Sequence, residues 1–520
     1  MLTTLPLLTA PPVAPGMPTP SPDPTLIWPY QAHFRQAAQT IADGVFDALD
    51  EDLQPRVQLL AVPAIDNTTG LASLLGSDTS DYDPTTFADV HTRCQHLHDR
   101  GSWILTERTE QTPEEPVRRR YEGYVLRLAI QEILDEHDKG HHTRISFAGW
   151  PVLINEYHVL PVLQLNRKTV RRHPTLRPDR FYTNGRPVIP SLIQAAIIRF
   201  HEECAKSLSE PEPGAGLLVR PRETDELVRA AGTLFMQTPA QDLGISKAEA
   251  KLYATLNTIS SLRYEGMEGV GKMMLAARHH PNLEEVFALT CPTPLSDYRA
   301  VRKLLEMTTP DVSLLADGEN VYALGRQVGQ YDASREDLFV ISFVTHYAWE
   351  FQHAGKVLMR THYGQPSLAR ARLNRSSFRK ELRRTFDLTN PEKVERLWEV
   401  AAEASRQKHG TLLVITTEAL AEADRLKLQC TLIEPVPLTP LITRLVTAID
   451  GAVLLDPDSY CYSIGVILDG TATGRGNSTR GARYNSAIRY VQSSPYPCMA
   501  IVVSEDGLVD VLTKESLEEE

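Results

Sequence analysis

Residues 389–415 read TNPEKVERLWEVAAEASRQKHGTLLVI, and this stretch decides how the C-terminal part of the chain is built. Asn390 followed by Pro391 and Glu392 is a helix start: a short side-chain acceptor precedes a proline whose missing N–H would be unpaired there anyway. Apolar residues then recur at helical spacing until Lys408-His409-Gly410, where cations and a glycine signal the end. Thr411–Ile415 follows at once as a continuous apolar run of strand length. Further runs of that kind lie at Ala452–Leu455, Tyr462–Leu468 and Met499–Val503. Strands of this character separated by helical patterns indicate an α/β sheet buried on both faces.

Working outward, a basic helical segment near Ser376–Arg384 precedes this unit and closes a middle one, expected over 225–385. That middle unit carries a helical pattern near Lys247–Leu256 and strand-like runs at Ser260–Tyr264, Val321–Leu324 and Leu338–Val344. Glu210–Arg222 (EPEPGAGLLVRPR) is rich in Pro and Gly and predicts a boundary. Before it, a first unit over 30–210 combines helical patterns at Tyr30–Leu49, after the capping pair Thr112 and Glu115, and at Ser191–Ser207 with strands near Ile145–Phe147, Pro151–Ile154 and Val159–Leu165. Residues 1–29 hold nine prolines and predict a disordered or extended tail.

The chain of 520 residues has room for about three domains. It carries a net charge of −12 and is 42% hydrophobic, with no apolar run approaching the roughly 18 residues that cross a bilayer. An integral membrane protein and a general nucleic-acid coat are therefore not expected. The six cysteines, Cys94, Cys204, Cys291, Cys430, Cys461 and Cys498, form no CxxC pair, and no secretion-type start is present, so a cytoplasmic protein with free thiols and no zinc site is expected.

The chemistry-bearing signals gather in the last 75 or so residues. Asp450-Gly451-Ala452 stands just ahead of a buried-type strand, and the loop Gly470–Gly481 (GTATGRGNSTRG) runs into Ala482-Arg483-Tyr484-Asn485-Ser486-Ala487 at a helix start. A glycine-rich loop entering a helix offers unpaired amides and a positive dipole end to a phosphate chain. Arg475, Arg480 and Arg483 add charge of the right sign, and Asp450 can hold a divalent cation or take a proton from a sugar hydroxyl. A surface turn before a charged helix start reads equally well from spacing alone.

Taken in order, His409-Gly410-Thr411-Leu412-Leu413-Val414-Ile415, Ile449-Asp450-Gly451-Ala452-Val453, Gly481-Ala482-Arg483-Tyr484-Asn485-Ser486-Ala487 and Val502-Val503-Ser504-Glu505-Asp506-Gly507 resemble the diadenylate cyclase domain. The resemblance covers about 390–520 and implies the fold class: α/β, with a C-terminal mixed sheet flanked by helices at 387–520, preceded by two mixed α/β regulatory units. It implies a domain that joins two ATP molecules into cyclic di-AMP and pyrophosphate with Mg2+ or Mn2+. Asp450, Gly451 and Ala452 take the DGA places, and Arg483 takes the first arginine of the GTRHRAA-type motif. Asp450 and Arg483 are the implied catalytic pair. The nucleotide site would be completed by Gly465, Leu468, Arg480, Gly481, Ala482, Tyr484, Asn485 and Ser504, with Glu505 and Asp506 joining Asp450 at the metal. One ATP per domain implies a homo-oligomer in which two domains meet face to face. Tyr484 replaces the motif's histidine, Asn485 its second arginine, and Ile449 stands where some members carry histidine. Asparagine hydrogen-bonds without countering charge, so a module that binds nucleotide without synthesis is the alternative.

Other signals weigh less. Gly266–Lys272 (GMEGVGK) has P-loop spacing, but Met273 stands where a hydroxyl should hold magnesium, and a strand–turn–strand hairpin is expected. His137, His141 and His142 read as a solvated helix end. The basic run Arg167-Lys168, Arg171-Arg172, Arg177, Arg180 and Arg186, interleaved with Phe181 and Tyr182, is expected as a charged face met by acidic partners, with nucleotide or RNA binding as the lesser reading.

Overall fold

The structure is a computed structural model, and it describes residues 26–64, 72–75, 82–83, 85–106, 115–140, 143–177, 182–183, 186–216, 222–244, 251–263, 270–369, 375–405, 407, 410–470, 481–504 and 509–519. The chain divides into two compact units, 1–369 and 370–520. Both combine helices with sheet.

In the first unit, Arg56–Pro63 and Tyr157–Asn166 pair antiparallel, from Arg56 with Gln164 to Pro63 with Tyr157, at the centre of a five-stranded sheet. Its side chains alternate. Leu59, Ala61, Val159 and Leu163 face the helices Gln31–Leu49, Leu192–Leu208 and Thr224–Phe235, whereas Leu60, Val62, Leu160 and Val162 face Glu115–Gly140. Ser191 caps the second of those helices, its side chain accepting from Gln194 N at 3.1 Å. An eight-stranded mixed sheet follows, in the order 365–367, 356–362, 348–353, 338–345, 271–276, 313–316, 320–327, 283–294. One core runs through both sheets, from Phe46 and Phe200 to Phe235, Trp349 and Phe351.

Several expectations are corrected here. Trp28 is 5% exposed and donates from Nε1 to Pro213 O at 2.8 Å, so packed structure begins inside the segment expected as tail. The Pro/Gly stretch Glu210–Arg222, expected as a boundary, lies inside the first compact unit, and Gly214, at φ +88°, packs against Phe34 and the Tyr30 carbonyl. Ser260–Tyr264 does not start as a strand: Ser260 and Ser261 are the last residues of the helix Leu252–Ser261, in which Leu252, Leu256 and Ile259 bury one face, and Tyr264 falls outside the described residues. Gly271–Ala276 is a strand, as a hairpin requires, but it pairs with 338–345 and 313–316, and the described element before it is that helix. His137 is not a solvated end; its ring lies 4.7 Å from Tyr82, while His141 and His142 fall outside the described residues, as do Thr112 and Pro113.

The second unit begins earlier than the expected boundary at 385, because the basic helix α1 (Arg375–Phe386) packs Phe378 and Leu382 into its core. Then come α2 (Pro391–Ala404), β1 (Thr411–Thr416), α3 (Ala419–Arg425), β2 (Thr431–Pro437), α4 (Pro440–Val446), β3 (Ala452–Leu455), β4 (Tyr460–Val466), α5 (Ala482–Ser493), β5 (Cys498–Val503), β6 (Val509–Thr513) and α6 (Lys514–Glu519). Asn390 caps α2 as the sequence predicts, accepting from Glu392 N at 2.9 Å.

The strand order is β2-β4-β3-β1-β5-β6. Only β1 and β3 run parallel among its pairs, so the sheet is mixed. Every residue of β1, β3 and β5 is buried, and alternate ones serve opposite faces. Leu412, Val414, Leu454 and Val502 meet α3 and α5; Leu413, Ile415, Val453 and Ile501 meet α1, α2 and α4. Burying each such side chain contributes about 1.5–3 kcal/mol, so this double-sided core fixes the register of the central strands.

Candidate functional site

Register decides which motifs meet. The parallel pairing of β1 and β3 places Leu412 beside Ala452, so Gly410 and Gly451 lie at one end of the sheet. Antiparallel neighbours bring the opposite ends of their strands there: Thr411 pairs with Val503 of β5, and Ala452 pairs with Val466 of β4. Gly410, Asp450–Ala452, the exit of β4 toward Leu468, and Ser504 therefore share one edge. Four motifs spread over about a hundred positions of sequence are gathered by hydrogen-bond pairing alone.

Two glycines make that edge tight. Gly451 sits at φ +102°, and a Cβ there would lie 2.6 Å from the carbonyl carbon of Gly465 and 2.8 Å from its Cα. Gly465 itself has φ +61°. The strands β3 and β4 thus approach through glycine backbone on both sides, which holds Asp450 at the rim. Ala452 is fully buried as the first residue of β3.

Across the edge stands the start of α5. Gly481 is its N-cap residue and has no side chain to close the cap, so the first-turn amides 482–484 present the positive end of the helix dipole here. Arg483, in that first turn, reaches Asp450: Nη2 donates to Oδ1 at 2.9 Å. Its guanidinium lies over Gly410, where a Cβ would come within 2.8 Å of Nη1. The Asp450 side chain is 90% exposed, and the Arg483 hydrogen bond, aided by the Gly451 N–H, holds its carboxyl below the usual carboxylate range. Asp450 is therefore an anion at neutral pH, paired with a cation in solvent. A solvent-exposed pair of this kind is weak, so a phosphate chain can take the guanidinium from it at little cost.

Asn485 turns back on its own helix, with Nδ2 donating to Gly481 O at 3.4 Å. Tyr484 and Leu468 are both half-buried and pack against the same core. Arg475, Arg480, Glu505 and Asp506 lie outside the described residues, as does His409. Among the described residues no group of three or more metal-ligating side chains occurs.

Sequence reading missed two features. One is Gly410 as the seat of Arg483. The other is a clamp at the entrance of the glycine-rich loop: Arg425 holds Asp469 through 2.5 and 2.9 Å bonds and Glu422 through 2.9 and 2.8 Å bonds. Buried Glu422 in turn accepts from Tyr490 Oη of α5 at 2.7 Å. Gly470, next in the chain, presses on the backbone of Arg489, where a Cβ would lie 2.7 Å from the carbonyl carbon. Both ends of the loop are thus tied to α5. The only sequence signal was a lone Asp–Gly after a strand, which ordinary turns also show.

Three stretches of the chain match known domain families. Residues 399–517 match the DAC family, described as DisA bacterial checkpoint controller nucleotide-binding. Residues 27–236 match a "probable sensor domain" named DACNG, and 250–355 a "probable sensor domain" named DACNH. Among solved structures, DacA from Staphylococcus aureus is similar at 16% identity over 25% of this chain and 95% of that one, with a TM-score of 0.20. A hypothetical membrane spanning protein from Bacillus cereus is similar at 19% identity over 26% of this chain and 67% of that one, with a TM-score of 0.21. No curated protein matches the chain. In this chain no helix among the described residues is long and apolar enough to cross a membrane. With the family's motifs gathered on one sheet edge and its model matched over 399–517, the C-terminal unit belongs to the DAC family of nucleotide-binding domains, and two sensor-like domains precede it.

Proposed function

We propose that the C-terminal unit is a diadenylate cyclase, condensing two ATP into cyclic di-AMP and two pyrophosphates under the control of the two preceding domains, in the reducing cytoplasm. The observation that carries this reading is the Asp450–Arg483 pair at the mouth of α5, 2.9 Å apart and accessible to solvent. A carboxylate and a guanidinium so placed divide the work of nucleotidyl transfer. Arg483 and the first-turn amides of α5 bind the phosphates, and Asp450, released from Arg483, orients the ribose 3′-hydroxyl and takes its proton. The 3′-oxygen then forms a bond to the α-phosphorus of the facing ATP while the bond from that phosphorus to the β-phosphate oxygen breaks, and pyrophosphate leaves with the electron pair. The same exchange in the other direction closes the ring. A single site holds one ATP, so two copies must face each other, and the active form is a homo-oligomer.

The donor set suits Mg2+ or Mn2+: a solvated carboxylate at Asp450 with the Ser504 hydroxyl at the same edge is an oxygen site of the kind completed by substrate phosphates and water. Such an ion supplies charge neutralisation on the phosphates. Asn485 favours a second reading, a cyclase-like module that binds nucleotide as a sensor without synthesis, since its amide faces its own helix and brings no cation.

The test is incubation of the full chain with ATP and Mn2+, with mass analysis for cyclic di-AMP and pyrophosphate. Wild type should form both, and Asp450→Asn should form neither while keeping its circular dichroism and melting profile. Equal turnover by Asp450→Asn would refute the assignment; nucleotide binding without product in wild type would favour the sensor reading.

A further inference from the structure

A concavity of about 690 Å3 in the first unit is lined by Asp52, Gln54, Asn166, Arg167, Lys168, Thr169, Arg171 and Arg172. Four cations face one carboxylate in a chain whose net charge is −12. The charges are not equivalent. Arg167 donates from Nε to Arg144 O at 3.1 Å and from Nη2 to Asp138 O, so it is a structural brace. Arg172 meets Asp50 at 2.6 Å and Asp52 at 2.9 Å, which cancels the only acid of the lining. The side chains of Lys168 and Arg171 have no hydrogen bond or ion pair among the described residues.

The frame beneath them is rigid. Asp50 is fully buried and also meets His173 Nε2 at 2.8 Å, and Thr169 donates to Asp52 O at 2.9 Å while its N–H is capped by Asn166. Lys168 and Arg171 stand three residues apart on one short helix, where like charges repel. A rigid frame that spends its acids on Arg172 and holds a second pair of cations together is organised for an anion from outside. No aromatic side chain lines the basin among the described residues, so nothing there stacks on a base. Gln54, Asn166 and Thr169 add neutral polar groups around the cations.

We infer that this basin of the first sensor-like domain binds a compact anion bearing two or more phosphate groups, gripped by Lys168 and Arg171. The inference is independent of catalysis by the C-terminal unit. It reassigns part of the basic run, of which Arg172 is met by acidic partners as expected, while Arg180 falls outside the described residues.

Calorimetric titration of the full chain with inorganic pyrophosphate, without divalent metal, tests it. Wild type should bind, with affinity falling as salt rises. Lys168→Ala/Arg171→Ala, a change at two exposed positions, should weaken that binding at least tenfold, and Arg483→Ala should retain it. No binding by wild type, or equal binding by the double variant, overturns the inference. Loss only in Arg483→Ala would put the pyrophosphate at the C-terminal site, which overturns this inference and leaves the proposed function standing. In a second arm, capture of vesicles that contain a phosphoinositide, in competition with pyrophosphate, would identify a lipid headgroup as the source of the phosphates; pyrophosphate binding without capture identifies a free compound. Capture of single-stranded RNA that pyrophosphate does not displace would overturn it.

Discussion

Gly451→Ala is the substitution whose cost the structure specifies most closely. At φ +102° an alanine occupies a backbone region that L side chains avoid, which costs about 1–3 kcal/mol. Its methyl would also lie 2.6, 2.8 and 3.0 Å from the C, Cα and O of Gly465. Those are backbone atoms of a paired strand and cannot rotate away, so overpacking adds about 1–3 kcal/mol. The expected total is about 2–6 kcal/mol. Gly465→Ala is the internal control. It also has positive φ, +61°, but its nearest neighbours are Asp450 O at 3.5 Å and Ile449 Cγ2 at 3.7 Å, so it bears the dihedral cost alone, about 1–2 kcal/mol. In urea titrations of the full chain followed by a probe on the C-terminal unit, Gly451→Ala should shift the midpoint at least twice as far as Gly465→Ala. Because the strain lies one residue from Asp450, it should also abolish cyclic di-AMP formation under conditions where the fold persists. Equal midpoints for the two alanine variants would refute the claim that backbone contact between β3 and β4 holds the site.

Arg483→Ala should weaken ATP binding about ten- to a hundredfold, as expected for loss of a charged hydrogen-bond donor, and calorimetry measures it. The same variant should let the Asp450 carboxyl titrate nearer its ordinary value of about 3.9, upward from its position in wild type, as followed by carboxyl-carbon NMR; an unmoved titration would mean that Arg483 is not its partner in solution. Asn485→Arg should raise turnover if a missing cation limits the rate, and an unchanged kcat with unchanged KM would show that the charge is not limiting. His201 is fully buried with neither ring nitrogen hydrogen-bonded, and burial depresses its pKa to about 3. The unfolded chain takes up that proton near pH 6.5 and the folded chain does not, so stability is constant above about 6.5 and falls as pH drops toward 3. Between pH 6.5 and 5 the loss should approach about 2 kcal/mol, and His201→Phe should flatten that slope in pH-dependent urea midpoints.

The legible parts of this chain were those whose signal is local. Asn390-Pro391 marked a helix start because capping depends on neighbouring atoms, and the helix is capped there as read. The apolar runs 411–415, 452–455 and 499–503 read as strands buried on both faces because no polar position interrupts them. The strand expected from Ser260 misled, since Leu252, Leu256 and Ile259 upstream commit Ser260 and Ser261 to the end of a helix. Trp28 was unreadable within a proline-rich run because its hydrogen-bond partner, Pro213, lies 185 positions away.

By itself the sequence determined which groups are present for chemistry: an aspartate before a glycine, an arginine in the first turn of a helix, glycines where side chains would obstruct. Tertiary structure alone decided that Asp450 and Arg483 touch, that Gly410 makes room for the guanidinium, and that Arg425 ties the loop entrance to α5. The reason is physical. Caps and periodicity arise from atoms a few residues apart, whereas the meeting of β1, β3, β4 and β5 at one edge depends on strand direction and register, which the buried faces of the whole sheet select together.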